Sequence, residues 1–446
     1  MALRVWLPLN GDINNYGISD ITFTNTSTSN TTNSASGKTG SCYTNNSNTV
    51  GGLLSNQTIN LGLKQSMCCW VKFNSFYSAA SLTGIGGQHR YYDKAPSNMG
   101  LTAKYLSATT GKLSVNTAVG TSRTYNTYCG NTTLNSGTWY HVAYTYDGTT
   151  ISLYVNGILD GTFNIPNMVV KADYIHLFSW SSSGASDKAI HSDYKLNGSL
   201  NDFRVYDHCL SPKEVKEISK GLCLHYKLDG VCNTIDSTEW DCSGFGNNGT
   251  KNGSITVSND TGRYSSSYKF GTTSSKIKLP AFSYSGLANS YSFSWWQKNT
   301  GSGNMPWGFS DGNRLNLYHT TNLCWNTGDG GGNPFKDSSG TAIPNTRLCD
   351  STWHHCVVTG NGSTTKLYID GIYAGAATTY KAITGTQIYI SGWDTSTSYT
   401  FSGSNLSDFR IYATVLSDAD IKELYNTPLS IDNVGNMYTY EFKEIE

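Results

Sequence analysis

The sequence predicts an all-β chain: two tandem antiparallel β-sandwiches, each ending in a short capped helix. Three observations predict it. One stretch occurs twice, apolar residues alternate with period two around hairpin turns, and the composition is rich in Gly, Ser, Thr, Asn and aromatics but poor in charge.

The repeated stretch is "LNDFRVYDHCLSPKEVKEI" from Leu200 and "LSDFRIYATVLSDADIKEL" from Leu406. Each copy reads as a strand, a turn and a short helix. Phe203, Val205 and Tyr206 are strand formers. Ser211, Pro212 and Glu214 form a capping-box pattern, which satisfies orphan backbone donors at a helix start. Val215 and Ile218 share one helix face. The second copy has Ser417 and Asp420 for the cap, then Ile421 and Leu424. Helices this short do not stand alone, so each must be pinned to a sheet.

Four further matches keep the same order. "VWLPLNGD" from Val5 pairs with "LHYKLDG" from Leu224. "SMCCWVKF" from Ser66 pairs with "YSFSWWQK" from Tyr291, which aligns Trp70 with Trp295 as packing residues. "GTWYHVAYTYDGTTISLYVNG" from Gly137 pairs with "STWHHCVVTGNGSTTKLYIDG" from Ser351. "YIHLFSW" from Tyr174 pairs with "IYISGW" from Ile388. Residues 1–220 and 221–430 are therefore read as two domains, with 431–446 as a tail strand. In the hairpin from Gly137, Tyr140, Val142, Tyr144 and Tyr146 alternate with His141, Ala143 and Thr145. Asp147-Gly148 and Asn156-Gly157 turn the chain, the strongest short hairpin signals. Gly221 follows the first helix as a C-cap, and a strand begins at once.

The 446 residues suffice for two β domains, with 46 Gly and 9 Pro. Charged residues are 14%, aromatics 13%, and the formal net charge is zero. That balance argues for a packed β protein and against nucleic acid or an anionic membrane as the main partner. No apolar run approaches the length of a membrane span, so no membrane insertion is expected. "MALRVWLPLNGD" is too short and too soon interrupted to read as a secretory signal. Eleven cysteines, odd in number and with no CxxC pair, read as free thiols from a reducing cytoplasm.

The string W-x-H-V, strand, D-G, "LYVNG", then D-F-R-(I/V)-Y and a capped helix resembles the concanavalin A-like, laminin-G type jelly-roll domain. Both halves share the resemblance. It implies two curved sheets per domain, chain ends joined in one sheet, and frequent roles in carbohydrate or surface recognition. "DCSGFGNNGT" at Asp241–Thr250 matches the family's loop after the first strand. The first domain departs there, with the polar stretch Thr24–Asn48 instead.

Some enzymes of this fold use paired glutamates, and glycosidases generally need two carboxylates. The seven glutamates are read as lying in the capped helices, the inter-domain region (Glu239) and the tail, with none in a core strand. No enzyme is therefore expected. His141 and His355, beside Trp139 and Trp353, are read as hydrogen-bonded strand residues. The resemblance implies a Ca²⁺ near the meeting of first and last strands. Asp202 and Asp408 are its candidate ligands in the two domains, joined by Asp12 in the first and by Asp229 and Asp241 in the second. The alternative for Asp202 and Asp408 is an ion pair with Arg204 or Arg410.

Tyr91, Tyr92, Trp180, Trp307, Trp325 and Trp393 are placed in or beside Gly/Ser/Asn-rich loops, where binding residues gather. An aromatic face covers the apolar face of a sugar. Trp180 and Trp393 lead, because they recur after the same strand. Together these features predict a non-enzymatic, glycan- or host-surface-binding protein of a bacteriophage particle, of fibre or receptor-binding type. It would be made in bacterial cytoplasm, displayed on the virion surface beside other virion proteins, and oligomeric, for example trimeric. The C-terminal "SIDNVGNMYTYEFKEIE" resembles the end of laminin-G-containing proteins from phages of gut bacteria. The alternatives are a structural head-fibre, decoration or spacer protein, and a bacterial surface adhesin.

Overall fold

The structure is a computed structural model. It describes residues 3–34, 37–39, 41–46, 51–76, 82–88, 99–118, 125–166, 168, 170–180, 194–230, 237–243, 247–260, 266–280, 287, 290–301, 305–309, 315–319, 321–327, 332–378, 387–393, 397 and 399–426. The predicted tail strand, 431–446, lies outside them. The chain divides at Lys220–Gly221 into two compact units.

The first unit contains β1 (Leu3–Leu7), β2 (Phe23–Asn25), β3 (Thr31–Ser34), β4 (Cys42–Asn45), β5 (Leu53–Ser55), β6 (Gln65–Ser75), β7 (Leu82–Gly87), β8 (Gly100–Ser107), β9 (Thr110–Ala118), β10 (Tyr125–Asn135), β11 (Trp139–Tyr146), β12 (Thr150–Val155), β13 (Ile158–Asn164), β14 (His176–Leu177), β15 (Asn197–Tyr206) and α1 (Pro212–Ser219). One sheet has the order β13-β12-β11-β6-β15-β4-β3, with β1 also on β15; the other is β10-β9-β8-β7-β14-β5-β2. All their pairings are antiparallel.

The second unit contains β16 (Leu222–Tyr226), β17 (Thr238–Glu239), β18 (Gly249–Asn252), β19 (Ile255–Ser258), β20 (Ser267–Phe270), β21 (Lys276–Lys278), β22 (Tyr291–Lys298), β23 (Trp307–Phe309), β24 (Leu315–His319), β25 (Leu323–Thr327), β26 (Asn333–Pro334), β27 (Trp353–Gly360), β28 (Thr365–Ile369), β29 (Ile372–Ala377), β30 (Ile388–Ile390), β31 (Asn405–Tyr412) and α2 (Asp418–Asn426). Its sheets are β19-β20-β31-β22-β27-β28-β29, with β16 on β31, and β17-β18-β21-β30-β23-β24-β25-β26.

Each unit buries one apolar core between its two sheets. In the first, Val142, Tyr144, Met67, Val71 and Phe203 meet Leu101, Leu113 and Val115. The second is more aromatic: Trp307 stacks on Phe293 at 4.3 Å and meets Trp295 edge-on at 5.5 Å. Each first strand pairs with the last, β1 with β15 and β16 with β31. A bulge interrupts both last strands at the DFR motif, where Asp202 and Asp408 take left-handed φ of 52° and 53°. Asp202 Oδ1 accepts from Arg204 Nε and from Trp6 Nε1, both at 2.7 Å. Asp408 Oδ1 accepts from Arg410 Nε at 2.7 Å and meets His225 Nε2 at 2.9 Å. His225 thus stands where the first unit has Trp6, and either ring N–H donates to the same carboxylate.

The capping box forms as read. Ser211 Oγ accepts from Glu214 N, and the Glu214 carboxylate accepts from Ser211 N. Such a cap is worth about 1 kcal/mol. Val215 and Ile218 are buried, and α1 packs on β11 and β13. Ser417 and Asp420 make the same reciprocal bonds for α2. The helices sit against the glycines of matching turns. A Cβ on Gly157 would fall 2.2 Å from Ser219 Oγ, and one on Gly371 would fall 3.0 Å from Tyr425 Cβ; both glycines have φ of 77°.

The pairing register corrects one alignment. Trp70 lies opposite His141, and Trp296 opposite His355. Trp296 is therefore the counterpart of Trp70, and Trp295 that of Cys69, so the text match slipped by one residue. Trp70 and Trp295 are both buried.

The same register places Cys68 where the second unit has Ser294. Ser294 Oγ lies 2.9 Å from His355 Nε2. His141 is fully buried against Trp70, neither ring nitrogen has a hydrogen-bond partner, and the expected bond is missing. Burial, with help from Arg204, lowers its pKa to about 3, so the ring is neutral. Restoring the serine in C68S should give His141 the missing bond and stabilise the first unit by about 1 kcal/mol. Denaturant unfolding of the full chain measures this; an unchanged or lower midpoint would contradict the equivalence.

Candidate functional site

The six aromatic candidates separate by burial. Tyr91 and Tyr92 lie outside the described residues. Trp307 is in β23 and Trp325 in β25, both 0% exposed in the core of the second unit, not in loops as expected. The strands there are short, so the polar flanks masked the inward alternation of Trp307 with Phe309 and of Leu323 with Trp325.

Trp180 and Trp393 do occupy matching places. β14 and β30 each end in a left-handed residue, Phe178 at φ 69° and Ser391 at φ 68°, and each tryptophan follows two positions later. Trp180 is not a loop tip. It is 5% exposed, stacks on Tyr194 at 4.0 Å with rings 14° apart, and rests on Gly84. A Cβ on Gly84 would come within 2.4 Å of Trp180 Cδ1, so the glycine is the ring's seat. Trp393 is half-buried.

Tyr194 has a counterpart in Tyr399. Gly84 N donates to Tyr194 O, and Met305 N donates to Tyr399 O. Tyr399 is 49% exposed. Each unit thus carries a tryptophan and a tyrosine at matching places after the same strand, and in the first unit the two rings stack. Sequence reading missed both tyrosines because unequal spacings, Trp180 to Tyr194 and Trp393 to Tyr399, hide the match.

These pairs border the face of the second sheet that points away from the core. Leu101, Ala103, Leu113 and Val115 point inward, so the alternate residues form the outer face. Across the strands one outer row runs Gly84, Thr102, Ser114, Cys129, and the next runs His176, Gly87, Gly100, Asn116, Thr127. Asn116 Nδ2 donates to the exposed Thr127 at 3.0 Å. In the second unit Tyr389 and Gly308 occupy the His176 and Gly87 places. In the first unit Thr102, Ser114 and His176 of these rows are fully buried and Asn116 nearly so, so the centre of this face is covered and its edge at Thr127 is exposed.

No group of three or more His, Cys, Asp or Glu suited to a metal occurs among the described residues. Asp202 and Asp408 instead pair with Arg204 and Arg410, the alternative read from the sequence. Burial would raise the Asp408 carboxyl, but the Arg410 guanidinium and the His225 bond hold it well below the carboxylate range. Asp12 accepts from Asn14 N and Tyr16 Oη. Asp241 is buried and accepts from the backbone N–H groups of His225, Ser243 and Asn247. Asp229 is buried also, and its charge acts on Glu239. Carboxylates already committed to an arginine or to backbone donors are a poor donor set for Ca²⁺, which needs six to eight oxygens.

One glutamate corrects the sequence reading. Glu239 is in β17, inside the second unit, and only 2% exposed. Burial raises its carboxyl to about 7, against hydrogen bonds from Tyr268 and from the backbone of Leu228 and the charge of Lys251. The short strand lies between a turn-rich stretch and the Asp241 loop, which hid it. Every described cysteine is a free thiol.

No curated protein sequence matches the chain. Among solved structures it is similar to domain 4 of an extracellular arabinanase from Geobacillus stearothermophilus, in complex with arabinotriose (18% identity over 49% of this chain and 98% of that one, TM-score 0.34). It is also similar to a heptameric SAP-like pentraxin from Limulus polyphemus (17%, 38% and 75%, 0.30) and to domains LG4-5 of the mouse laminin alpha1 chain (12%, 81% and 88%, 0.25). A family model, Laminin_G_3 of the concanavalin A-like lectin/glucanases superfamily, matches residues 24–216 and 270–422. With one match in each unit, spanning most of its length, the chain belongs to the Laminin_G_3 family of concanavalin A-like domains.

Proposed function

We propose that this chain is a non-enzymatic glycan-binding protein with one recognition site per unit, displayed on a bacteriophage particle for attachment to host or environmental glycans. The observation that carries the reading is the recurrence of a tryptophan and a tyrosine at matching places after the same strand in both units, Trp180 with Tyr194 and Trp393 with Tyr399. Duplication suits weak sugar sites. A single site near 1 mM corresponds to about −4 kcal/mol, and tethering two raises avidity by roughly 10²–10⁴ where both engage. Free, mostly buried thiols and an uncharged Ser/Thr/Asn surface support assembly in a reducing cytoplasm before display. The spacer or decoration reading is favoured by one observation, the near-complete burial of Trp180.

Because Trp180 is buried, tyrosines make the cleaner test. Y194A/Y399A should weaken capture on a glycan array and attachment to cells by about tenfold or more, and by more than either single change. Unaltered capture by the double variant, with its melting curve intact, would move the assignment to the spacer reading.

The buried acid Glu239 supports a structural, not catalytic, role. Its folded pKa lies above its unfolded one, so the unfolded state loses its proton first as pH rises. This group therefore lowers stability progressively between about pH 4.5 and 7. E239Q should raise the unfolding temperature at pH 8 and change it little at pH 4.5. Thermal scans at both pH values check this. Sugar release from a polysaccharide by the wild type, abolished in E239Q, would instead make the protein a hydrolase.

A further inference from the structure

We propose that the second unit carries a proton-operated clasp, in which the His354 ring, held between Asp350 and Asp370, ties the segment leading into β27 to the β28–β29 turn and so steadies the seat of α2. The inference does not depend on the glycan reading. His354 Nδ1 lies 2.8 Å from Asp370 Oδ2. On the other side of the ring, Nε2 lies 3.2 Å from both Asp350 oxygens and 2.9 Å from Thr352 Oγ1. Thr352 Oγ1 donates to Asp350 Oδ1 at 2.7 Å. A neutral imidazole has one N–H and one lone pair, so it would aim the lone pair at a carboxylate. Only the protonated ring donates on both sides. Asp370 Oδ1 also accepts from His355 N at 2.9 Å. The next residue, Gly371, is the seat of Tyr425, which stacks on Trp296 at 5.7 Å and on His355 at 6.2 Å.

The first unit builds the same place from neutral groups. The matched stretches set Ser136, Tyr140 and Asn156 where the second unit has Asp350, His354 and Asp370. Asn156 Oδ1 accepts from His141 N at 2.9 Å, the bond that Asp370 makes with His355. Tyr140 Oη accepts from Asn135 N at 3.1 Å. The backbone is thus held without charge there, and the three ionisable residues of the second unit add a response to protons. The Asp370 bond, against burial and with help from Asp350, raises the His354 pKa above its ordinary value. Burial opposes ionisation of the two carboxyls, but their hydrogen bonds, His354 among them, hold both below theirs. The raised imidazole contributes stability that is complete below about pH 6.5 and is lost as pH rises through its folded value. The lowered carboxyls contribute stability that is present above about pH 4 and is lost as pH falls through theirs. The clasp is therefore strongest between those limits. Other titratable groups face the cluster. His355 acts on Asp370, Asp350 acts on the Cys349 thiol and Asp370 on the Cys356 thiol. Burial pushes both thiols up, Cys349 to about 11. β22 sets the neutral Gln297 opposite His354, and α2 brings the Tyr425 phenol beside Gly371. Asp370, His354 and Thr352 share the order of a catalytic relay, but a ring whose cation Asp350 favours is a poor general base.

Three measurements on the full chain test the proposal. By NMR the His354 ring, identified by its loss in H354Q, should titrate above about pH 6.5 in the wild type and at or below it in D350N/D370N. Asn156 already does the backbone work of Asp370 in the first unit, so that variant should fold. The stability comparison is made in an E239Q background, which removes the buried acid that titrates at about 7. There the second unit's unfolding temperature should fall between about pH 6 and about pH 9 by about 2 °C or more beyond the fall seen with H354Q added. Exchange of the α2 amides, corrected for its intrinsic pH dependence, should rise about threefold or more over the same range, and should be fast at both ends of it in H354Q. A wild-type ring that titrates at or below about pH 6.5 would overturn the proposal. So would a pH dependence of melting or of α2 exchange that H354Q leaves unchanged.

Discussion

The buried aspartate–arginine pair of the DFR motif is the constraint on which each sandwich depends. Asp202 and Asp408 sit at a bulge in the last strand, each in a left-handed conformation that a short polar side chain tolerates. The carboxylate binds the arginine two residues on and a ring N–H from the first strand. One group thus fixes the bulge, orients a fully buried arginine and locks the unit's first and last strands in one sheet. Burying two charges is costly, so the pair does not by itself argue for stability. Breaking it strands one charge, which is far worse. The backbone supports the same arrangement. Asp202 N donates to Pro8 O and Asp408 N to Lys227 O, just before the left-handed Leu9 and Leu228.

Around that pair the two faces of the unit acquire different roles. The sheet containing the motif carries the capped helix on its outer side, where Trp296, His355 and Tyr425 stack in the second unit. In the first unit Trp70 and His141 occupy the matching places, and Ser219 replaces the tyrosine against the turn glycine. The opposite sheet has no helix on it among the described residues. In the first unit its outer face holds small polar residues that are buried at the centre, Trp180 stacked on Tyr194, and Lys104 and Lys112 nearer the edge.

Much of this was legible in the sequence, for physical reasons that differ by residue. Hairpin turns and capping boxes are local, so Asp147-Gly148, Asn156-Gly157 and Ser211-Pro212 announced themselves. The ion pair of Asp202 with Arg204 was visible as an alternative because the partners are two residues apart. Contacts between distant segments were not visible. Trp6 and His225 align in the matched strands from Val5 and Leu224, but that both dissimilar rings reach the DFR carboxylate was not visible. Trp307 and Trp325 lie in short strands whose Gly/Asn flanks imitate loops, so core residues were taken for surface ones. Tyr194 and Tyr399 lie at unequal distances from their tryptophans, and only the backbone bonds from Gly84 and Met305 reveal their equivalence. Lys104 and Lys112 become neighbours through register, a property that composition does not contain. Glu239 shows the same limit in reverse: a residue assigned to a junction is sealed within the second unit.

The measurement that tests the central claim most directly is a double-mutant cycle on Asp408 and Arg410, read by denaturant unfolding of the second unit's transition in the full chain. D408N and R410M should each cost about 3–5 kcal/mol, because each leaves an uncompensated buried partner. The double variant should lose clearly less than the two losses together, with a coupling of about 2 kcal/mol or more. Additive losses, with coupling indistinguishable from zero, would show that the pair does not hold the sandwich together and would contradict the account.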